Sequence, residues 1–473
     1  MAERQKINIP EKLIKLYGDE NGRIKHIWSY SKVSGIRQCV YEYYLSRIKK
    51  VEQSDNIYSL LGSSAHDILQ DLYEGKIEYK DMANRFESEF LAVDIGGYKF
   101  VSDENQNSGM ATKYKEDMIH FFKTHKMITQ KVECEKEIWV DVNGHVFLGY
   151  IDENHDEGYY TIVTDYKTST MYKGSDIYEH QKQLLLYAYG LHQLTGKPLD
   201  KFKIRWNFLK YVNINCKTMI NITYEHKGEI KTSTPRRDEW VKKLKTVIRA
   251  YIKEYDSEIK MKDLKTLADK CEEENSLDSL PNGMREYVEG KFIFEDVIKS
   301  ARRNNWVAET TFQTQLKKDL KANGIDDITI DMLLFDVVNT NSLEPLKNIL
   351  DLSMYELEDC YVYGEVSQEN IDILIKELCE DIELILSKGE DEGNFNRENI
   401  QDTESYYCNN LCGVKSHCPY YKKYIEEYNL YNSKPIVNEA TEKFEEQNNK
   451  TKAVEQTVDI QMELDELLGI LEM

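Results

Sequence analysis

HVFLGYIDENHDEGYYTIVTDYKTST, residues 145–170, is the stretch on which the fold turns. Its first half alternates apolar residues (Val146, Leu148, Tyr150) with others and closes on Ile151 and Asp152, the pattern of a strand ending at a carboxylate. An acidic, glycine-containing turn, NHDEG, follows. YYTIVTDYK, rich in β-branched and aromatic residues, then predicts the second strand of a hairpin. Asp165 and Lys167 stand two apart, so on a strand they share a face. In the simplest register Asp152, Asp165 and Lys167 meet at one end of a sheet.

That trio has the residue types that metal-assisted phosphodiester hydrolysis needs. Carboxylate oxygens hold Mg²⁺ or Mn²⁺, and the ion acidifies a water while neutralising charge on the phosphate. A lysine beside them orients the attacking water or stabilises the developing negative charge. An ordinary solvated hairpin is the competing reading of an isolated D…DxK, and the surrounding sequence decides against it.

Upstream, IYSLLGSSAHDILQDLYEGKI predicts a helix with the stripe Leu60, Leu61, Ala65, Ile68, Leu69 and Leu72, and His66 beside that stripe is a candidate third metal ligand. KVECEKEIWVDV predicts the strand before the hairpin. Downstream, SDIYEHQKQLLLYAYGLHQLTGKPLDK predicts a helix closed by Gly196 and Pro198, with Gln183 and Tyr187 four apart on one face. FKIRWNFLKYV and CKTMINITYEH predict two further strands. The order is that of an α/β protein with a mixed sheet. GLHQLTGKP has the wrong spacing for a phosphate-binding loop, and no intrinsic ATP-driven motor is expected.

The net charge of −22 is unevenly spread. Residues 1–250 hold 38 Lys and Arg against 35 Asp and Glu, residues 251–473 hold 24 against 49, and residues 201–250 alone hold 13 against 4. A basic segment beside the carboxylate hairpin is compatible with a phosphate-binding cleft despite the overall sign. No segment approaches 18 uninterrupted apolar residues, and MAERQKINIPEK lacks a signal-peptide apolar region, so an intracellular protein with no membrane partner is expected.

Residues 236–400 read as mainly helical and acidic, either solvated faces or a partner-docking insertion. YYCNNLCGVKSHCPYYKKY then places Cys408, Cys412 and Cys418 in C-x3-C-x5-C spacing, which points to metal binding. Near the N-terminus, in HIWSYSKVSGIRQCVYEYYLSRIKK, Ser31 is expected to cap a helix bearing Cys39, the candidate fourth ligand. Zinc and an iron–sulfur cluster both suit four thiolates. The chain ends in a polar stretch and DIQMELDELLGILEM, a short amphipathic helix suited to docking.

Taken together, G-x3-H at His66, Asp152, D-x-K at Asp165 and Lys167, and Q-x3-Y at Gln183 and Tyr187 resemble the PD-(D/E)XK nucleases of the RecB/AddB type. One early cysteine and three late ones resemble the iron–sulfur branch of that group, which includes AddB and CRISPR-adaptation nucleases. The resemblance covers roughly residues 29–225 and 405–422 and implies a restriction-endonuclease-like mixed sheet flanked by helices. It implies Mg²⁺ or Mn²⁺ on His66, Asp152, Asp165 and the backbone carbonyl of Tyr166, with Asp152, Asp165 and Lys167 catalytic. Gln183 and Tyr187 then position substrate. Cys39, Cys408, Cys412 and Cys418 hold a 4Fe-4S cluster, with zinc the lesser occupant. Two departures stand out: x3 instead of x2 between the first two late cysteines, and Val40 where a proline often follows the first.

The implied layout is an N-terminal segment (1–56), a nuclease core (57–235), an acidic helical insertion (236–400), a cysteine-cluster region (401–430) and a tail (431–473). The implied function is a metal-dependent DNA exonuclease or flap-type nuclease of replication, recombination or repair. Its helicase, recombination or replication partner would dock on the insertion or the terminal helix. The Lys, Asn, Ile and Tyr content suggests an AT-rich genome, such as that of a bacteriophage acting in the host cytoplasm. The alternatives are a catalytically silent scaffold on DNA ends and a CRISPR-adaptation fragment-processing nuclease.

Overall fold

The computed structural model describes residues 9–100, 109–226, 229–254, 261–290, 292–397 and 400–433. The expected C-terminal helix lies outside the described residues. The chain forms two units, one of residues 1–39 and 55–391, the other of residues 40–54 and 392–473.

The larger unit is built on an eight-stranded mixed sheet: β1 (Ile27–Trp28), β2 (Glu133–Val142), β3 (His145–Glu157), β4 (Tyr160–Lys167), β5 (Phe202–His226), β6 (Glu229–Ser233), β7 (Phe292–Arg302) and β8 (Tyr355–Tyr363). β2 and β3 form a hairpin closed by Asn143 and Gly144, both with positive φ (48° and 90°), the conformation that an Asn-Gly turn accepts most readily. β3 and β4 pair antiparallel from Glu157↔Tyr160 to Glu153↔Thr164, and β4 then pairs parallel with β5. The expected turn NHDEG is thus a correction: Asn154 to Glu157 continue the strand, and the reversal is confined to Gly158 (φ 60°) and Tyr159.

The two strands expected after the second helix are one strand of 25 residues. Asn213 and Asn215 are not at a chain reversal. They are bridged on both sides by β7 and β8, and the ladder with β7 shifts register between Asn215 and Ile220. Both partner strands come from the region expected to be mainly helical. That region therefore extends the central sheet as well as adding helices, such as Thr310–Ala322 and Asp327–Thr340, packed over Val212, Ile214 and Cys216.

Three helices, Ile57–Tyr73, Met82–Ile95 and Met110–Thr124, bury Leu61, Ile68, Phe86, Tyr114 and Phe121 against Tyr166 and Leu209 of the sheet. The first is started by an Asn56–Ser59 capping box. The helix expected from Ser175 is interrupted at Gln181, leaving Ser175–His180 and Lys182–Thr195. The second piece closes on Gly196 in the left-handed region, as expected. It lies so near β2 that a Cβ on Gly190 would come within 2.6 Å of Val140 Cγ2. In the N-terminal segment the cap is Ser29, whose hydroxyl accepts from Lys32 N at 3.2 Å, and Ser31 sits one turn position inside the helix Tyr30–Gln38.

In the smaller unit Tyr43 and Tyr44 pack on Phe395, and Tyr41 meets Tyr420 edge-on at 4.9 Å. The Tyr41 hydroxyl donates to Glu392 at 2.6 Å, and that of Tyr407 donates to Glu42 at 2.9 Å. These N-terminal tyrosines are core, not surface. Cys408 and Cys412 are buried here and Cys418 is half-buried, while Cys39 ends the helix Tyr30–Gln38 of the larger unit.

Candidate functional site

The β3–β4 ladder stops at Glu153↔Thr164, and the next residues on each strand are Asp152 and Asp165. Past that rung the strands part, so the backbone N–H of Tyr166 has no ladder partner on this side and is taken up by Asp152 Oδ2 at 2.9 Å. The carboxylate is thereby fixed by the backbone it would serve. His66, on the helix Ile57–Tyr73, reaches the same point: its Nε2 lies 3.0 Å from the Tyr166 carbonyl oxygen and its Nδ1 3.4 Å from Asp152 Oδ2. Lys167 Nζ lies 2.6 Å from Asp165 Oδ2 and forms an ion pair with it.

Five of the expected residues, His66, Asp152, Asp165, Tyr166 through its backbone, and Lys167, are thus brought to one place. Gln183 and Tyr187 adjoin them: Gln183 Nε2 donates to the Tyr187 hydroxyl at 2.8 Å, and both line a cavity that also reaches Asp152. Tyr187 occupies the space over Gly149, where any Cβ would collide with its ring.

Glu135 completes the group and was not foreseen. Its carboxylate gathers with His66 and Asp152 closely enough for all three to hold one ion, the one such cluster of His, Cys, Asp and Glu among the described residues. Glu135 holds φ at 48°, a left-handed conformation inside a strand that costs a non-glycine residue on the order of 1–3 kcal/mol and collects at functional positions. In ECEKE, alternation sets Glu133, Glu135 and Glu137 on a common side, so the sequence offers three equivalent acids and no means of choosing. The cysteine trio is not drawn together to single-ion distances among the described residues.

The electrostatics are those of a site short of positive charge. Burial, and then the neighbouring Asp165, push the Asp152 carboxyl well above the usual carboxylate range. Burial also pushes the Glu135 carboxyl up and the His66 imidazole down, keeping the ring neutral and able to ligate. Burial works against the Lys167 ammonium as well, but Asp165 outweighs it and its pKa is raised. A divalent cation fits this donor set of carboxylate and carbonyl oxygens with one imidazole, and supplies the charge whose lack raises Asp152.

A mixed sheet flanked by helices, with its acidic hairpin ends and a D-x-K lysine at the opening between two strands, defines a restriction-endonuclease-like core. The family model of the PD-(D/E)XK nuclease superfamily matches residues 27–273, just over half of the chain, and the chain belongs to that superfamily. Its members are usually metal-dependent nucleases, generally with Mg²⁺ or Mn²⁺ and with DNA as substrate. A search of curated proteins finds no match to the chain. No helix of the described residues is long and apolar enough to cross a membrane.

Proposed function

We propose that this chain is a metal-dependent DNA exonuclease or flap-type nuclease of the RecB/AddB branch, hydrolysing phosphodiester bonds during replication, recombination or repair. The observation that carries the reading is the convergence of His66, Glu135 and Asp152 beside the Lys167–Asp165 ion pair, at the one place where the hairpin ladder opens.

In this reading Asp152, Asp165, Glu135, His66 and the Tyr166 carbonyl hold Mg²⁺ or Mn²⁺, which supplies Lewis acidity at the phosphate and an acidified water. Lys167, kept protonated by Asp165, stabilises the negative charge that grows on the phosphate. Gln183 and Tyr187 hold the substrate side of the cleft. The 4Fe-4S cluster on Cys39, Cys408, Cys412 and Cys418 is a proposal resting on the sequence resemblance, as are a helicase or recombination partner and action in a bacterial, phage-infected cytoplasm. Brown absorbance of anaerobically purified protein, lost on Cys412→Ser, tests the cluster against zinc.

The deciding experiment is digestion of end-labelled single- and double-stranded DNA with Mg²⁺ or Mn²⁺, beside Asp165→Ala and Lys167→Ala. Metal-dependent products absent from both variants support the nuclease. DNA binding without cleavage by the unmodified chain moves the reading to a scaffold on DNA ends.

A further inference from the structure

Two cavities share Glu135 and Tyr150, one of them also lined by Asp152 and the other by His66. The larger, about 890 Å³, is walled by polar side chains, with His66, Asp67, Gln70 and Lys167 among them. The smaller, about 440 Å³, adds aromatic side chains to a polar lining: Trp28, Tyr30, Tyr150 and Tyr187 line it together with Glu135, Asp152, Gln183 and two serines. Its size is that of a small-molecule site. Gly149 is what lets the Tyr187 ring pack in this position, since a side chain there would drive the ring out of place.

A sugar–phosphate backbone is held by cations, whereas an unstacked base is held by aromatic faces. The small cavity offers aromatic faces and carboxylates. Cations reach its aromatic wall: the Lys32 ammonium lies 4.8 Å above the Trp28 ring, and Lys182 and Arg37 act on Tyr30. We propose that this cavity receives one unstacked nucleobase of a single-stranded nucleic acid, that of the nucleotide next to the scissile phosphate. The proposal rests on the nuclease reading for which phosphate is cut, and it adds a selection rule. A base inside a duplex reaches the cavity only after unpairing and unstacking, at a cost of a few kcal/mol, so single strands and frayed ends are taken and blunt duplex is disfavoured. Tyr150, 40% exposed and shared by both cavities, is the stacking surface, and Tyr30 lines the same cavity.

The test uses the full chain with Ca²⁺ in place of Mg²⁺ and single-stranded oligonucleotides carrying 2-aminopurine at successive positions. The expected result is a fluorescence change at one position only, lost in Tyr150→Ala and kept in Tyr150→Phe. Tyr150→Ala should also weaken single-strand binding about tenfold, the worth of one base–aromatic stack, and weaken blunt-duplex binding far less. Tyr30→Ala serves as the second variant, with the same expected loss. No responsive position, or equal losses on single strand and duplex, overturns the cavity assignment. If the responsive position is found yet Mg²⁺ and Mn²⁺ yield no cleavage, the base site stands and the nuclease reading falls. If cleavage is metal-dependent but Tyr150→Ala changes neither substrate, the reverse holds.

Discussion

Asp152 and Glu153 are consecutive carboxylates on one strand, and the molecule treats them in opposite ways. Glu153 is fully buried, and burial alone would raise its pKa. It nevertheless accepts from His155 Nδ1 at 2.9 Å, the Thr164 hydroxyl at 3.1 Å and the Tyr166 hydroxyl at 2.8 Å, with Arg205 beyond, and its pKa is lowered. Asp152 has a single backbone donor and a second carboxylate against it, and its pKa is raised. One rung of the ladder separates a network that meets every demand of its carboxylate from a gap that does not. The difference locates a deficit: at Asp152 negative charge is left undercompensated by the side chains around it, and the satisfied network beside it holds Tyr166, whose backbone borders that gap.

The sharpest way to break the comparison is to neutralise one side of the gap. Asp165→Asn should lower Mn²⁺-dependent cleavage on the order of 10³-fold, the scale of losing a main electrostatic stabiliser, while the melting temperature shifts little, because relief of the crowding with Asp152 offsets the loss of the Lys167 ion-pair partner. Single-turnover kinetics and thermal melts on the same sample check it. A variant that loses activity by unfolding would show that the deficit is structural after all.

The opposite result is expected at the satisfied carboxylate, next to Asp152 on β3. Glu153→Ala leaves Arg205 and three donors buried without their acceptor, and should cost about 3–5 kcal/mol by urea denaturation. Glu153→Gln, which keeps the size and one acceptor, should cost less.

A third buried carboxylate sharpens the same contrast away from the site. Asp359 on β8 accepts from His125 Nδ1 at 2.8 Å and pairs with Arg303, itself bonded to the Leu209 carbonyl at 2.8 Å. Burial opposes its charge, but these partners win and its pKa falls to about 2. A group depressed below its unfolded value near 3.9 stabilises the fold above that pH, by about 2–3 kcal/mol, and the gain disappears as pH falls from about 4 to about 2. Urea midpoints between pH 6 and pH 2.5 should show this slope, flattened in Asp359→Asn.

These differences also mark what a reader of the sequence can and cannot recover. The meeting of Asp152, Asp165 and Lys167 follows from local pattern, a strand end and a two-residue spacing, whereas His66, Gln183 and Tyr187 are assigned to the same place by the family resemblance and not by any local signal of their own. β5 reads as two strands, FKIRWNFLKYV and CKTMINITYEH, with Asn213, Ile214 and Asn215 between them. What carries the strand through them is pairing to β7 and β8, some 80 and 140 residues downstream, which no local pattern reports. Glu153 reads as one more acid in an acidic hairpin until the tertiary structure brings Arg205 and Tyr166 to it.

Glu135 is where both halves of the comparison meet in a single residue. It faces the gap, yet it does so through a strained backbone, with φ at 48°, at a position that the β2–β3 register skips between Cys134↔Glu153 and Lys136↔Ile151. Removing the carboxylate and removing the strain can therefore be separated. Glu135→Ala keeps the strain and loses the ligand, and should weaken Mn²⁺ binding about 10–100-fold by electron paramagnetic titration, with stability near that of the unmodified chain. Glu135→Gly loses both, so it should bind Mn²⁺ equally weakly while melting higher than Glu135→Ala by about 1 kcal/mol, because glycine adopts this φ at little cost. Equal stability in the two variants would mean the backbone relaxes when the carboxylate goes, making the ligand the cause of the strain. A higher melt for glycine makes the ladder the cause and the ligand its beneficiary.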